Sequence, residues 1–593
     1  GAIEKLSEEL QARIESLPKL RKKYHERVRG LDQEVTAHAV TALFQDLQTK
    51  YAEVADVAEY LDAARQDIID NAQEFRQQDQ PALPFLRSDI SSLLQSYEIN
   101  LIVGNEPGMP APIVYEVNPS YPNLVGKVEH RAEMGALLTD FRMVRGGALL
   151  QANGGYLVLD IHRVLARPFV WEALKQALFT KQVRIESPAE TLGFASTTAL
   201  KPEPIPLDVK IILIGERWFY YLLSMYDKEF GGLFKVAVDF DDDVERSPQN
   251  VEAYAELVKA RVGDKDLLPF DTSALKRVIE QRARHADDSE RLSMNIRSLD
   301  DLLVESDYWA RQRAAKRVAA EDIVAAIEHK KKRLGRVQSR VYDSIERETL
   351  LIDTEGERVG QVNGLSVLQL GDYRFGHPVR ITATTRIGSG GVVDIEREVE
   401  LGGAIHSKGV MILSSALSAR YVPETPLSLS ASIVFEQTYG GVDGDSASVA
   451  EFCALLSSIA EIPIRQGTAC TGSVNQLGRV QAVGGVNEKI EGFFEICRRR
   501  GLDGSQGVII PADNVKHLML REDVVAAVRD RKFAVFAIGH IDDALELLTG
   551  RTAGRRGNDG LFPADTVNRA VEDKLISYAQ RRKQFAATET SGE

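Results

Sequence analysis

Apolar positions along the first ninety residues recur at helical spacing. Leu6, Leu10, Ile14 and Leu17 form one set, Val54, Val57, Leu61 and Ile68 another, and charges fill the other faces. This pattern predicts an antiparallel helical hairpin or coiled-coil arm over residues 1–90. A stretch rich in Gln, Asp and Pro, residues 77–84, ends it. Over residues 91–246 the period changes. Tyr97–Val103, Gly155–Asp160 (GYLVLD) and Val209–Gly215 (VKIILIG) read as apolar strands, with a helix at Phe169–Phe179. Such alternation predicts a parallel sheet buried on both faces.

Residues 247–340 return to the helical period in four segments: Val251–Val262, Thr272–Ala286, Ile296–Ala314 and Ala320–His329. The basic run Lys330–Arg333 and the polar stretch to Arg340 read as a helix end and a linker. Over residues 341–550 glycine becomes dense and strands dominate: Gly360–Gln369, Pro378–Thr385, Gly390–Glu396 and Leu427–Phe435. Helices then alternate with strands. Residues 551–593 predict a turn, a helix over Ala564–Phe585 and a polar tail. The expected fold class is multidomain, α/β followed by α+β.

Composition narrows the function classes. The 593 residues carry 73 basic and 87 acidic side chains, a net charge of −14. That balance argues against a nucleic-acid binder, for which the Lys330–Arg340 run is the sole support. Cys453, Cys470 and Cys497 are odd in number and form no CxxC, so neither a disulfide framework nor a zinc cluster is indicated. They read as core fillers, His406 as a structural histidine, and a reducing cytoplasm is the expected location. No apolar run approaches the ~18 residues of a membrane helix. The opening GAIEKLSEEL is a charged helix pattern rather than a signal peptide, and the missing initiator Met leads us to expect sequence upstream of Gly1.

The chemistry concentrates at Gly440–Ser448 (GGVDGDSAS), between a strand and an amphipathic helix bearing Val449, Ala450, Cys453, Leu456 and Ile459. Ser446 therefore falls near a helix N-terminus, where unpaired amides and the helix dipole favour negative charge. Such a serine is either a cap or a nucleophile beside an oxyanion site. A nucleophile needs a base. His377, His406, His517 and His540 are distant in sequence, whereas Lys489 opens a helix with apolar Ile490, Phe493, Phe494, Ile496 and Cys497. Burial and the positive end of that helix would lower its pKa and make it a base.

Together, GDSAS around Ser446, TGS at Thr471–Ser473 and GGVNEK ending at Lys489 resemble the proteolytic domain of Lon proteases, in their B-type branch. GQVNGL (Gly360–Leu365) and LGGAIHSKGV, with Gly402, Lys408 and Gly409, extend the resemblance over about residues 346–550. The resemblance implies a Ser446–Lys489 dyad, with Thr471 orienting the lysine amine. Asp443 and Asp445 flank the nucleophile. They either hold the loop or pair with Lys489, which would raise its pKa and oppose its role as base.

Residues 91–335 resemble an AAA+ module with a helical lid, and residues 1–90 resemble its coiled-coil insertion. Asp160, ending QANGGYLVLD, matches the metal-binding position of a Walker B strand, yet the glutamate expected next is Ile161. Glu216 stands where a sensor asparagine belongs, and Arg297 matches the lid's sensor arginine loosely. No GxxxxGK[ST] occurs, so this chain holds no phosphate cradle. Either a P-loop precedes Gly1, or nucleotide use has been lost, as in ATP-independent Lon-like proteases. No cofactor is expected in this chain, and ATP with Mg²⁺ only if an upstream P-loop exists. The resemblance implies a homohexameric ring that cleaves unfolded protein chains in the cytoplasm without contacting a membrane. The alternative is a ring-forming chaperone or remodelling scaffold with an inactive protease domain.

Overall fold

Helix α1 (Ala2–Lys50) is followed by α2 (Ala55–Asp70), which folds back along it: Gln48 Nε2 donates to Asp62 at 2.6 Å and Gln33 Nε2 to Asp70 at 3.4 Å. The hairpin covers only the C-terminal part of α1. Leu6, at 72% exposure, Leu10, Ile14 and Leu17 all face solvent. Each such side chain forgoes about 1.5–3 kcal/mol of burial, so the stripe read from the sequence exists but has no partner among the described residues. The computed structural model describes residues 1–72, 75, 94–105, 108–133, 136–186, 200–558 and 560–590; the break at residues 77–84 lies outside them.

The chain forms two compact units, Gly1–Asp239 and Phe240–Glu593. In the first, strands β1 (Ile113–Glu116), β2 (Tyr156–Asp160) and β3 (Lys210–Ile214) form a parallel sheet in that order. Leu157, Leu159 and Leu213 point to a core shared with helix α3 (Val170–Thr180) through Val170 and Leu174. The opposite face carries Ile113, Tyr115, Tyr156, Ile212 and Ile214, all exposed. The expectation of burial on both faces is corrected: among the described residues no helix of this unit covers that side. The strand expected at Tyr97–Val103 is also absent. Asn100 there spends its side-chain amide on the carbonyls of Phe141 (2.9 Å) and Val144 (3.0 Å), and only Ile102 and Val103 reach the core.

The second unit begins with four helices, α4 (Pro248–Asp264), α5 (Thr272–His285), α6 (Ile296–Gln312) and α7 (Ala320–Leu334). They enclose Val258, Val278, Leu299, Leu303 and Ile323. The polar stretch to Arg340 read as a linker instead opens helix α8 (Arg336–Glu346). Tyr342 and Ile345, three apart and so on one helical face, are buried with Phe375 and Ile496, and Tyr342 Oη donates to Gly376 O at 2.8 Å.

Next come β4 (Gln361–Leu370), β5 (Tyr373–Ile387), β6 (Gly391–Asp394), α9 (Ala404–Tyr421), β7 (Leu429–Phe435), α10 (Ser448–Ala460), β8 (Thr468–Cys470), α11 (Val486–Arg500), β9 (Gly507–Pro511) and β10 (Ala534–Ile538). The strands make one mixed sheet in the order β6-β7-β5-β4-β8-β9-β10. Along β8 and β9, Cys470 and Ile509 pack with Val449, Phe452 and Leu456 of α10. Their neighbours Ala469, Val508 and Ile510 pack with Ile490, Phe493 and Phe494 of α11. Because side chains alternate across a sheet, α10 and α11 lie on opposite faces. All three cysteines are free and buried.

Candidate active site

The loop after β7 carries Ser446 and is held by its own acids. Gly444 N donates to Asp443 Oδ1 at 2.9 Å, and Ser473 Oγ donates to Asp445 Oδ2 at 2.7 Å. The chain leaving β8 ties the loop down further. Ser446 O accepts from Gly472 N (2.8 Å) and from Thr471 Oγ1 (3.0 Å), and Val449 N donates to Gly472 O (3.1 Å). Ser446 thus sits just before α10, half-buried, its backbone bonded to Thr471 and Gly472.

Lys489 arrives from the other face. Gly485 caps α11 with a left-handed φ of 65°, and Lys489 is only 3% exposed. Its Nζ donates to Ser446 Oγ at 2.9 Å and to Thr471 Oγ1 at 3.1 Å. Thr471 is fully buried and serves both partners, accepting from the lysine while donating to the carbonyl of Ser446. The three groups meet where β8 ends, the point from which both sheet faces are reachable. Burial is the main cause that lowers the Lys489 pKa to about 8; the charges of Asp445 and Glu488 oppose it.

Two glycines let α11 lie directly on β5. A Cβ on Gly492 would come 2.2 Å from Gly376 O, and one on Gly376 would come 2.0 Å from Glu488 O. Two carboxylates beside Lys489 bind the helices that precede the sheet domain. Glu491 accepts Arg284 of α5, with Nη2 at 2.9 Å, and Arg374 bridges Glu488 (3.2 Å) and Asp287 (2.7 Å). Arg284 also donates to Met519 O at 2.8 Å. This clamp escaped the sequence reading, since residues 207 positions apart carry no local signal.

The other residues singled out from the sequence fall as follows. Asp443 and Asp445 brace the loop, and among the described residues Lys489 Nζ bonds Ser446 and Thr471 rather than either acid. None of the four candidate histidines bonds Ser446: His406 faces Asp394 and Glu451, His517 bonds Asn514, His540 caps a helix, and His377 is half-buried with its buried Nδ1 unbonded. Asp160 ends β2 and accepts Arg163 N at 3.2 Å, a capping contact, while the following Ile161 is a core residue. Arg297 is exposed in the first turn of α6.

Comparisons with known proteins agree with this architecture. Residues 109–241 match the "LonB-like, AAA domain" model, 269–333 the "Archaeal LonB, AAA+ ATPase LID domain", and 427–550 the "Lon protease (S16) C-terminal proteolytic domain". A Lon protease homolog of Escherichia coli (strain K12) is 38% identical over 73% of this chain and 72% of its own length. The Haemophilus influenzae (strain ATCC 51907 / DSM 11121 / KW20 / Rd) homolog is 34% identical over 74% and 72%. An archaeal Lon protease of Pyrococcus abyssi (strain GE5 / Orsay) is 27% identical over 73% of this chain and 42% of its own. With an AAA domain, its lid and the proteolytic domain matched in order, and with identity at this level across most of both chains, the chain belongs to the Lon protease family.

Proposed function

We propose that this protein is a serine endopeptidase that cleaves unfolded protein chains with a Ser446–Lys489 dyad. The observation that carries the reading is the buried Nζ of Lys489, 2.9 Å from Ser446 Oγ and outside every described ion pair. In its neutral form the amine takes the Ser446 proton as Oγ attacks the peptide carbonyl, and returns it to the leaving amine. Thr471 fixes the amine on the serine side of its rotamers. The backbone N–H groups of Asp445 and Ser446, at the head of α10, receive the developing oxyanion. Asp443 and Asp445 keep the loop in shape.

The protein works as a homohexameric ring in the cytoplasm, on this reading. Family membership supports it, as does the apolar surface of the first unit, where Trp218, Tyr221, Met225 and Tyr226 are exposed on one helix, Arg217–Tyr226. No helix among the described residues is long and apolar enough to cross a membrane. On this reading these 593 residues do not bind ATP tightly: Asp160 is engaged as a cap, Ile161 replaces the expected acid, and they contain no P-loop motif.

Incubation with casein, with and without ATP and Mg²⁺, tests the reading. Peptides are expected in both reactions. Peptides only with ATP would overturn the reading of the nucleotide site, and suppressed aggregation without peptides would overturn the peptidase reading.

A further inference from the structure

Behind the nucleophile loop, four ionisable side chains converge in the interior. Asp394 ends β6, Glu396 lies in the short helix Ile395–Glu398 after it, His406 is in the first turn of α9, and Glu451 is in the first turn of α10. All four are 4% exposed or less. His406 Nε2 faces the Asp394 carboxylate, 3.3 Å from Oδ1 and 3.2 Å from Oδ2, while Nδ1 faces Glu451 Oε1 at 3.6 Å. Glu396 Oε1 accepts Phe435 N at 2.8 Å. Three fully buried carboxylate oxygens, Asp394 Oδ2, Glu396 Oε2 and Glu451 Oε1, accept from no N–H or hydroxyl donor, and the Asp394 and Glu396 carboxyl groups lie within hydrogen-bond reach of each other.

Three buried carboxylates around one imidazole are poorly compensated as they stand. Buried charges are retained where they are paired or hold a metal. One ligand atom each from Asp394, Glu396 and His406 lies within 4.8 Å of the other two. Ligands held at the ~2.0–2.2 Å of a tetrahedral zinc site are about 3.4 Å apart, so modest closure of the side chains would bring them into contact with one ion.

We infer that Asp394, Glu396 and His406 bind a divalent transition-metal ion of the zinc class through two carboxylates and Nε2. Glu451 holds the opposite imidazole nitrogen, Nδ1–H, the outer carboxylate that metal-binding histidines commonly use. One imidazole with two carboxylates favours Zn²⁺ over Mg²⁺, which prefers an all-oxygen octahedron. The ion is structural. It joins the end of β6 to α9, and that segment contacts the nucleophile loop directly: Gly403 N donates to Val442 O at 2.8 Å and Val442 N to Leu401 O at 2.9 Å. Glu451 lies on the helix that Ser446 precedes. The site therefore sets the rigidity of the loop and takes no part in bond breaking.

The test uses the full chain, stripped with a chelator and dialysed against Zn²⁺, Mn²⁺ or Mg²⁺, with metal content read by mass spectrometry and Tm by calorimetry. The expected result is one Zn²⁺ per chain, weaker Mn²⁺ binding, no retained Mg²⁺, and a Tm raised by several degrees with Zn²⁺. Glu396→Gln, nearly isosteric, should weaken Zn²⁺ binding at least 100-fold and remove the Tm shift. Glu451→Gln should weaken it about 10–100-fold, as loss of an outer partner does. Less than a fifth of an equivalent of Zn²⁺ on the unaltered chain would overturn the site. So would an equal Tm shift in Glu396→Gln, or Mg²⁺ retained as well as Zn²⁺.

Discussion

Lys489 Nζ donates to Ser446 Oγ across 2.9 Å although the two residues belong to segments on opposite faces of one sheet. They meet because β8 stops at Cys470 and leaves Thr471 between them.

Activity should rise with pH. The Lys489 pKa is lowered to about 8, chiefly by burial, and only the neutral amine accepts a proton. Below that value the ammonium dominates, so kcat/KM on an unstructured peptide should fall about tenfold per pH unit. Above it the rate should level off. The profile is read with initial rates from pH 6 to 9.5. A midpoint near the ~6.5 of a histidine would point to a different base.

Thr471→Val removes the hydroxyl that accepts from Lys489 and donates to Ser446 O. A kcat lower by about 10–100-fold is expected, since a positioned proton transfer contributes about 10²–10⁴. Thr471→Ser should recover most of it. Equal loss in both variants would mean that the methyl group, not the hydroxyl, matters.

Gly492→Ala places a Cβ 2.2 Å from Gly376 O, a backbone atom that cannot move aside without shifting α11 from β5. Overpacking of this kind costs about 1–3 kcal/mol. Calorimetry should show a lower Tm, and activity should fall because α11 carries Lys489. An unchanged Tm would contradict the close helix–sheet contact.

Arg284→Ala leaves Glu491 without its guanidinium partner next to Lys489. Loss of hydrogen bonds to a buried charge costs about 1.5–3 kcal/mol. A lower Tm and faster amide exchange in the first turns of α11 are expected. Protection unchanged along α11 would show that the four-helix group does not brace the lysine.

Much of this was legible in the chain. The GDSAS and GGVNEK segments mark a helix start and a lysine helix, and each apolar set defines a face that the core occupies. The facing of Ser446 and Lys489 came from resemblance, because periodicity says which face a residue takes and not where two helices end in space. Three readings differed for physical reasons. Tyr97–Val103 is apolar enough for a strand, but Asn100 ties its backbone neighbours elsewhere. The polar stretch to Arg340 reads as linker by charge, yet it opens a helix to which Tyr342 and Ile345 give a buried face. Ile212 and Ile214 read as core but lie on an open sheet face. The buried set Asp394, Glu396, His406 and Glu451 spans three elements and left no local pattern to detect.

The most direct measurement is casein cleavage at pH 8.5 by the unaltered chain and by Ser446→Ala, followed by peptide mass spectrometry. Both should have the same circular dichroism and Tm, because Ser446 is half-buried and the loop is held through its backbone and Asp445. Peptides from the first and none from the second are expected. Cleavage retained by Ser446→Ala would contradict the dyad.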